Sequence, residues 1–511
     1  MFKFLENNNP VLYIFILIFI ILLHIPSFHE NYYGIDESIY VLCAKKIASG
    51  GIMYVDAWDN KPPIIFWFYT IFVKIFGDYT FFALRIFSII YYFISAVIFN
   101  QLFYYYRFSK SFHIWPGILL SLLCLSPWYA NELNAEHLML LPTLFMILYA
   151  CFYFIENEKK WSYLYWIGIL GALCMGFKYQ GILNFIGLLI GIFFFYTFKP
   201  SELLTIFLGF MTMILIIFLS LYFTNSLNEF IDIGFLYNFD YIRVGKNFGE
   251  EVSFIAGLKE YFKNYGVAII LGILGIINYR SKFYTMSIRQ RKIETIIFTL
   301  SITSFIGILL GGSRLYLHYF IQILPFLLIH AIYFALSRKK WGNLLLFFNF
   351  LFPLFTFSIY YFVSTPERYQ WIQPYIQPNG WVNSKFEELN FSKQEKLLLE
   401  DLKNHHKNLK EIFIVDFQPE LYLKLKKKCA LKYINFSLTY YKMNWLSKHK
   451  GKLRLWSKPE ELSDLYKEFL HNKPKYIIDP HQIFEEWKEE IPLFMNQYNS
   501  KMVGNYKVYY L

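Results

Sequence analysis

The chain has 511 residues, of which 56% are hydrophobic, 22% aromatic and 17% charged, and its mean hydropathy is +0.35; this is more apolar surface than a soluble domain can bury against itself, so a polytopic membrane protein is expected. The net charge of +12 is what cytoplasmic loops and an attached domain give a membrane protein, and it does not point to nucleic acid. The five cysteines, Cys43, Cys124, Cys151, Cys174 and Cys429, form no CxxC pair, which excludes a zinc knuckle or a disulfide framework.

A window of about 19 residues, the helix length that crosses about 30 Å of hydrocarbon, predicts spans near 11–28, 81–105, 113–130, 137–155, 162–177, 181–198, 203–224, 263–279, 293–311, 315–337 and 342–362. The first has no small-residue cleavage site after it and reads as a retained signal anchor. Residues 62–77, "PPIIFWFYTIFVKIFG", are apolar but short, open on two prolines and carry Lys74. They fit an interfacial helix better than a crossing. With that helix on the surface, "RFSKS", "ENEKK", "FKPSE", "YRSKFYTMSIRQRK" and "SRKK" all share the side of the N-terminus. By the positive-inside rule the N-terminus is then cytoplasmic. The loops on the other side hold Asp36 to Lys61, Glu132 to His137, Lys178 to Gln180, the segment 225–262 and "GGSR" at 311–314. Acidic and polar residues therefore gather on the outer face.

After about residue 363 charges become dense and no segment is long enough to span. "EIFIVDF" and "PKYIID" read as buried strands, "SKQEKLLLEDLKNHHKNLK" and "PEELSDLYKEFLHN" as helices, and "NYKVYYL" as a final strand. The expected fold is an all-α polytopic membrane domain of about eleven transmembrane helices plus interfacial helices, residues 1–362, followed by a small α/β extracytoplasmic domain, residues 363–511.

The first outer loop, 29–80, carries the densest chemistry. One acid beyond a helix end reads as solvated loop, but Asp36, Glu37, Asp56, Asp59 and Lys61 fall in one loop. "SIYVLCAKKIASGG" has apolar positions at helical spacing and ends on Gly50-Gly51, so Asp36 is predicted at a helix N-terminus, where free backbone N–H groups favour an ordered carboxylate or an anion. Lys61 stands before the rigid Pro62-Pro63. An ammonium held there at the membrane surface can meet a lipid phosphate. Glu136 and His137, at the outer mouth of the fourth span, are functional candidates because charge near hydrocarbon is costly.

The order "GIDESIY…A…ASGG…Y.DAWDNKPPIIFW…FG…ALR", Gly34 to Arg85, resembles the opening of bacterial membrane glycosyltransferases related to protein O-mannosyltransferases and to the aminoarabinose transferase that modifies lipid A, enzymes of the GT-C fold. "NELNAEHLMLLP", "GFKYQG" and "SRLYLHYFIQILP" extend the resemblance. It implies an inverting transfer of a sugar from a polyprenyl-phosphate donor to a lipid, glycan or protein acceptor at the outer face of a bacterial inner membrane. Asp36 is the expected base, with Glu37 as metal ligand, alternative base or structural cap. Lys61, Arg314 and Lys178 are the expected donor-phosphate contacts, since cations stabilise the growing charge of the leaving phosphate and guanidinium suits phosphate. Glu136, His137, Asp59, Gln180 and Tyr319 are candidates for acceptor, sugar or metal contact, and His318 for the lining of a lipid groove. A divalent Mg, Mn or Zn is a candidate cofactor, held by Asp36 and Glu136. A monomer is expected. An oligosaccharide ligase or polymerase would concentrate Arg and His in a late outer loop, and a lipid-linked sugar flippase would place its polar residues near the midplane. The early, one-sided constellation fits neither as well.

Overall fold

The computed structural model describes residues 10–30, 34–105, 115–125, 132–239, 251–311, 315–338, 341–362, 392–415, 418–432, 467–480 and 496–511. Among them, five helices are long and apolar enough to cross a membrane and six shorter ones are apolar; each coincides with one predicted span. The helices are α1 Pro10–Glu30, α2 Ile35–Ala48, α3 Pro63–Phe76, α4 Thr80–Tyr105, α5 Trp115–Cys124, α6 Ala135–Ala150, α7 Trp161–Phe177, α8 Ile182–Phe193, α9 Pro200–Phe223, α10 Glu251–Lys282, α11 Ile288–Leu310, α12 Leu324–Ser337 and α13 Gly342–Phe362.

Residues 63–103 are long and apolar enough to read as one crossing, yet they do not form one long rod. Gly77, at φ +52°, ends α3, and a backbone there strains any residue with a Cβ. Beyond it the chain folds over, so that Phe72 of α3 packs edge-on against Phe87 of α4, ring centroids 5.3 Å apart. The short helix expected over 62–77 is thus separate from the span that follows. Where helices cross closely, glycines allow it: a Cβ on Gly168 of α7 would strike the Ile206 carbonyl of α9, and one on Gly209 would strike the Tyr165 carbonyl. Such reciprocal small-residue contacts are how helices associate when lipid is as apolar as their side chains.

One predicted span is shortened. Residues 315–337 were expected to be helical throughout, but α12 begins only at Leu324, with Pro325 in its first turn. Leu317–Gln322 form a 3₁₀ segment ahead of it. Proline lacks the N–H that would bond back into a preceding turn, so the helix starts there and frees the residues before it.

The polar tail has α14 Lys393–His405, α15 Pro419–Lys424 and five strands: β1 Glu411–Ile414, β2 Lys428–Cys429, β3 Tyr476–Asp479, β4 Asn499–Val503 and β5 Tyr506–Tyr510. The sheet order is β2-β1-β3-β5-β4. β1 pairs in parallel with β2 and β3, while β5 runs antiparallel to β3 and β4. Ile412, Phe413, Ile414, Ile477 and Ile478 are fully buried, as continuous apolar central strands should be. The helix expected over "PEELSDLYKEFLHN" lies mostly outside the described residues.

This tail does not hang free. α15 packs on α2, the Trp58 N–H donates to the Lys432 carbonyl at 2.9 Å, and the Lys46 ammonium donates to the carbonyls of Asp56 and Leu431 at 3.0 and 2.6 Å. The α/β unit is seated on the helix that carries the first acidic pair.

Candidate active site

α2 starts at Gly34, whose extended backbone places Asp36 and Glu37 in the first helical turn. Adjacent residues on a helix point about 100° apart, and here the two acids go to different surroundings. Glu37 is fully buried: its Oε2 and Oε1 accept from the two terminal nitrogens of Arg85 at 2.5 and 3.1 Å, and Tyr69 donates to Oε1 at 3.2 Å. Arg85 lies over the Phe81 ring. This bidentate pair ties α2 to α3 and α4, which leaves Glu37 committed rather than open to substrate or metal. Asp36 remains partly exposed, with 26% of its side chain accessible, and its Oδ2 lies 3.9 Å from His318 Nε2.

The same His318 Nε2 is 3.9 Å from Glu136 Oε1. The imidazole therefore stands between a carboxylate of α2 and one of α6. It is stacked on Tyr316, with centroids 5.7 Å apart, and edge-on to Tyr319 at 4.8 Å. Freed from the helix by the Pro325 start, the 3₁₀ segment can present His318 and Tyr319 together. Glu136, nearly buried at the second position of α6, forms an ion pair with Lys178, whose ammonium also lies 3.4 Å from the centre of the Tyr319 ring. Lys178 is the extended residue between α7 and the following 3₁₀ turn. Burial pushes its ammonium below the usual lysine range, against the pull of Glu136, and the charge of Lys61 adds to the lowering. Burial likewise lowers His318 despite Glu136 and Asp36, so its imidazole is held toward the neutral form.

Lys61 is positioned through its backbone. Its N–H donates to Asp59 Oδ1 at 3.0 Å, its carbonyl accepts from the Tyr54 hydroxyl at 2.8 Å, and its ammonium is 3.5 Å from Asn60 Oδ1. Asp59 is fully buried and shapes this turn, and Asp56 Oδ2 accepts from the Ile52 N–H at 2.6 Å. Both aspartates hold the loop. His137, expected as an acceptor or metal contact, is placed as a helix cap: its Nδ1 accepts from the Asn134 N–H at 3.0 Å and its Nε2 lies 3.2 Å from the Cys124 carbonyl. Gln180 sits in the turn after Lys178, beside Gly307. Arg314 lies outside the described residues.

Glu132, which the sequence offers beside Glu136 and His137 in the same outer loop, and Gln322, which it does not single out, complete the surroundings. The Glu132 carboxyl occupies the space a Cβ on Gly34 would need, and accepts from Asn134 Nδ2 at 2.7 Å. Burial, then the charges of Asp36 and Glu37, raise it to about 8, so it holds a proton beside the acidic pair at neutral pH. Gln322 is buried, neither of its amide atoms makes a hydrogen bond, and it lines a small, mostly apolar pocket that Glu136 and Asn184 also reach. No sequence signal separates Gln322 from an ordinary Gln within a span.

Among the described residues no three His, Cys, Asp or Glu side chains are grouped as metal ligands, and Glu136 is already neutralised by Lys178.

Residues 60–223 match the family model described as dolichyl-phosphate-mannose-protein mannosyltransferase. This segment, about a third of the chain, is therefore similar to a glycosyltransferase family. The matched segment holds Lys61, Glu136, Lys178 and Gln180, with Asp36 just ahead of it and His318 well after it. Among solved structures, the chain is similar to ArnT from Cupriavidus metallidurans bound to undecaprenyl phosphate, with 10% identity, 97% of each chain covered and a TM-score of 0.48. No curated protein matches.

Proposed function

We propose that the protein is an inverting glycosyltransferase that moves a sugar from a polyprenyl-phosphate donor to a hydroxyl or amine of a lipid, glycan or protein acceptor, at the outer face of a bacterial inner membrane. The observation that carries this reading is the meeting of Asp36, Lys61, Glu136, Lys178 and His318, drawn from four separate parts of the chain, in one charged cluster. The family description, which names a dolichyl-phosphate-linked sugar, supports the donor class, and the Lys-Pro-Pro turn supports its phosphate contact.

In this reading the acceptor heteroatom attacks the anomeric carbon from the face opposite the phosphate. Asp36, partly exposed, takes the acceptor proton as the new bond forms. The bond from the anomeric carbon to the phosphate oxygen breaks, and its electron pair leaves with the polyprenyl phosphate. Lys61 and Lys178 face that growing charge. Glu136 and Tyr319 hold Lys178 in place, and neutral His318 spans Asp36 and Glu136, where it orients the base. Glu37 anchors the helix under Asp36.

The test uses the full chain, purified in detergent, with radiolabelled polyprenyl-phosphate sugars and a membrane extract as acceptor source. Label should pass to the extract. Asp36→Asn should lose at least about a hundredfold in transfer while still binding donor, and Lys61→Ala should weaken donor binding. Full activity in both variants would overturn the site, and movement of intact donor across vesicles with no new glycosidic bond would identify a flippase instead. Transfer should survive chelation of divalent ions, because the two lysines meet the phosphate.

A further inference from the structure

A second feature lies at the other end of the membrane domain and is independent of the proposed reaction. α11 runs from a basic turn at its N-terminal end to the His318 segment beyond its C-terminal end, so whatever sits beside its first turns is on the membrane face opposite Asp36. There α8, α10 and α11 enclose a groove of about 930 Å³.

Its two ends differ chemically. Toward the turn it is rimmed by Arg280, Arg291 and Lys292, none of which forms an ion pair among the described residues. The neighbouring Arg289 is already paired with Glu156 at 2.6 Å, and Glu294, deeper in the groove, is buried 3.0 Å from His330, so neither acid neutralises the rim. Lys199 and Lys292 each lie close enough to Lys159 to act on its charge, and Glu202 beside Lys159 offsets part of that positive field. The Tyr279 hydroxyl, on the groove wall, is buried with no hydrogen-bond partner. Away from the rim the wall becomes apolar along one face of α11, through Phe298, Ile302 and Ile306. Ile302 and Ile306 are 45% and 43% exposed. From Lys292 to Ile306 the helix rises about 20 Å, enough to carry an acyl chain through its leaflet.

We propose that this groove is a binding site for an anionic phospholipid, its phosphate on the Arg280, Arg291 and Lys292 rim with Tyr279 donating to it, and its acyl chain along the apolar face of α11. A zwitterionic lipid would fill the apolar part equally well but leave the rim uncompensated, which is why charge selects the occupant. Guanidinium groups are suited to bidentate phosphate contact.

The experiment offers the full chain equal amounts of dioleoyl phosphatidylglycerol and dioleoyl phosphatidylcholine, identical in their chains, and counts retained lipid by native mass spectrometry. The wild type should retain the glycerol lipid several-fold over the choline lipid. Arg280→Gln, Arg291→Gln and Lys292→Gln together should bring the ratio to parity, and each alone should narrow it. Should that variant misfold, about 0.5 M salt on the wild type should narrow the preference, and Ile302→Trp, which fills the groove with its rim intact, should lower retention of both lipids. Parity in the wild type, or a preference unchanged by both the triple variant and salt, would overturn the proposal. So would displacement of the glycerol lipid by substoichiometric undecaprenyl phosphate, which would make the polyprenyl lipid the occupant.

Discussion

Asp36 and Glu37 are neighbours in sequence and opposites in use. The Glu37 carboxylate is spent on Arg85 and Tyr69, and removing one member of a buried ion pair strands the other charge. Glu37→Ala should therefore lower stability by about 3–5 kcal/mol, read as a lower thermal midpoint in detergent, whereas Glu37→Leu with Arg85→Met should recover most of it. Transfer activity should return with the fold in the double variant. A folded but inactive double variant would make Glu37 a reacting group. Glu132 gives a pH signature. Its carboxyl loses its proton at about 4.5 when unfolded and at about 8 when folded, so the folded form keeps the proton over that interval and stability falls as pH rises through it. Glu132→Gln should flatten the decline, matching the wild type near pH 4 and exceeding it near pH 8 in thermal unfolding. The two acids of "DE" and the lone Glu of "NEL" look alike as letters. What separates them is the Arg85 side chain one helix away and the absence of a Cβ on Gly34.

At the scale of elements, proline and glycine decide where helices stop. Pro62-Pro63, Gly77 and Pro325 all punctuate the sequence, and the two prolines open the short helix expected over 62–77. Pro325 was absorbed into a long predicted span because its surroundings, "LYLHYFIQILPFLLIH", are apolar enough to mask it. The 3₁₀ segment that results brings His318 to Asp36. Gly168 and Gly209 mark the close crossing of α7 and α9. Gly168→Leu should force the helices apart and lower the thermal midpoint by several degrees, by overpacking worth about 1–3 kcal/mol, while the same change at Gly50, where nothing lies within 4 Å of a Cβ, meets a positive φ and no steric neighbour and should cost less. α2 shows a contact between units: Lys46 bonds carbonyls of its own loop and of the tail. Lys46→Met should raise hydrogen exchange in 419–432 and in α2 together. If the tail loosened while α2 kept its protection, the tail would be a passenger and not a support for the Asp36 helix.

Over the whole molecule, the general class is legible in the chain before any contact forms. Apolar helices, a polar α/β tail and the Lys-Pro-Pro turn are written in hydropathy and proline spacing, which are local properties and need no partner to be read. The predicted strands in "EIFIVDF", "PKYIID" and "NYKVYYL" became β1, β3 and β5 for the same reason, since continuous apolar runs bounded by polar residues can be buried on a sheet whichever order the strands take. The tertiary structure alone decided which of the polar residues meet. It put Glu136 against Lys178 and Tyr319, set His318 between two carboxylates, turned Glu37 and His137 inward as anchor and cap, gathered three cations around an apolar groove on the far face, and seated the tail on α2. Those outcomes depend on contacts between residues tens to hundreds apart in sequence, and a charge in a membrane protein is costly or useful according to the partner that packing gives it, which no window along the chain contains.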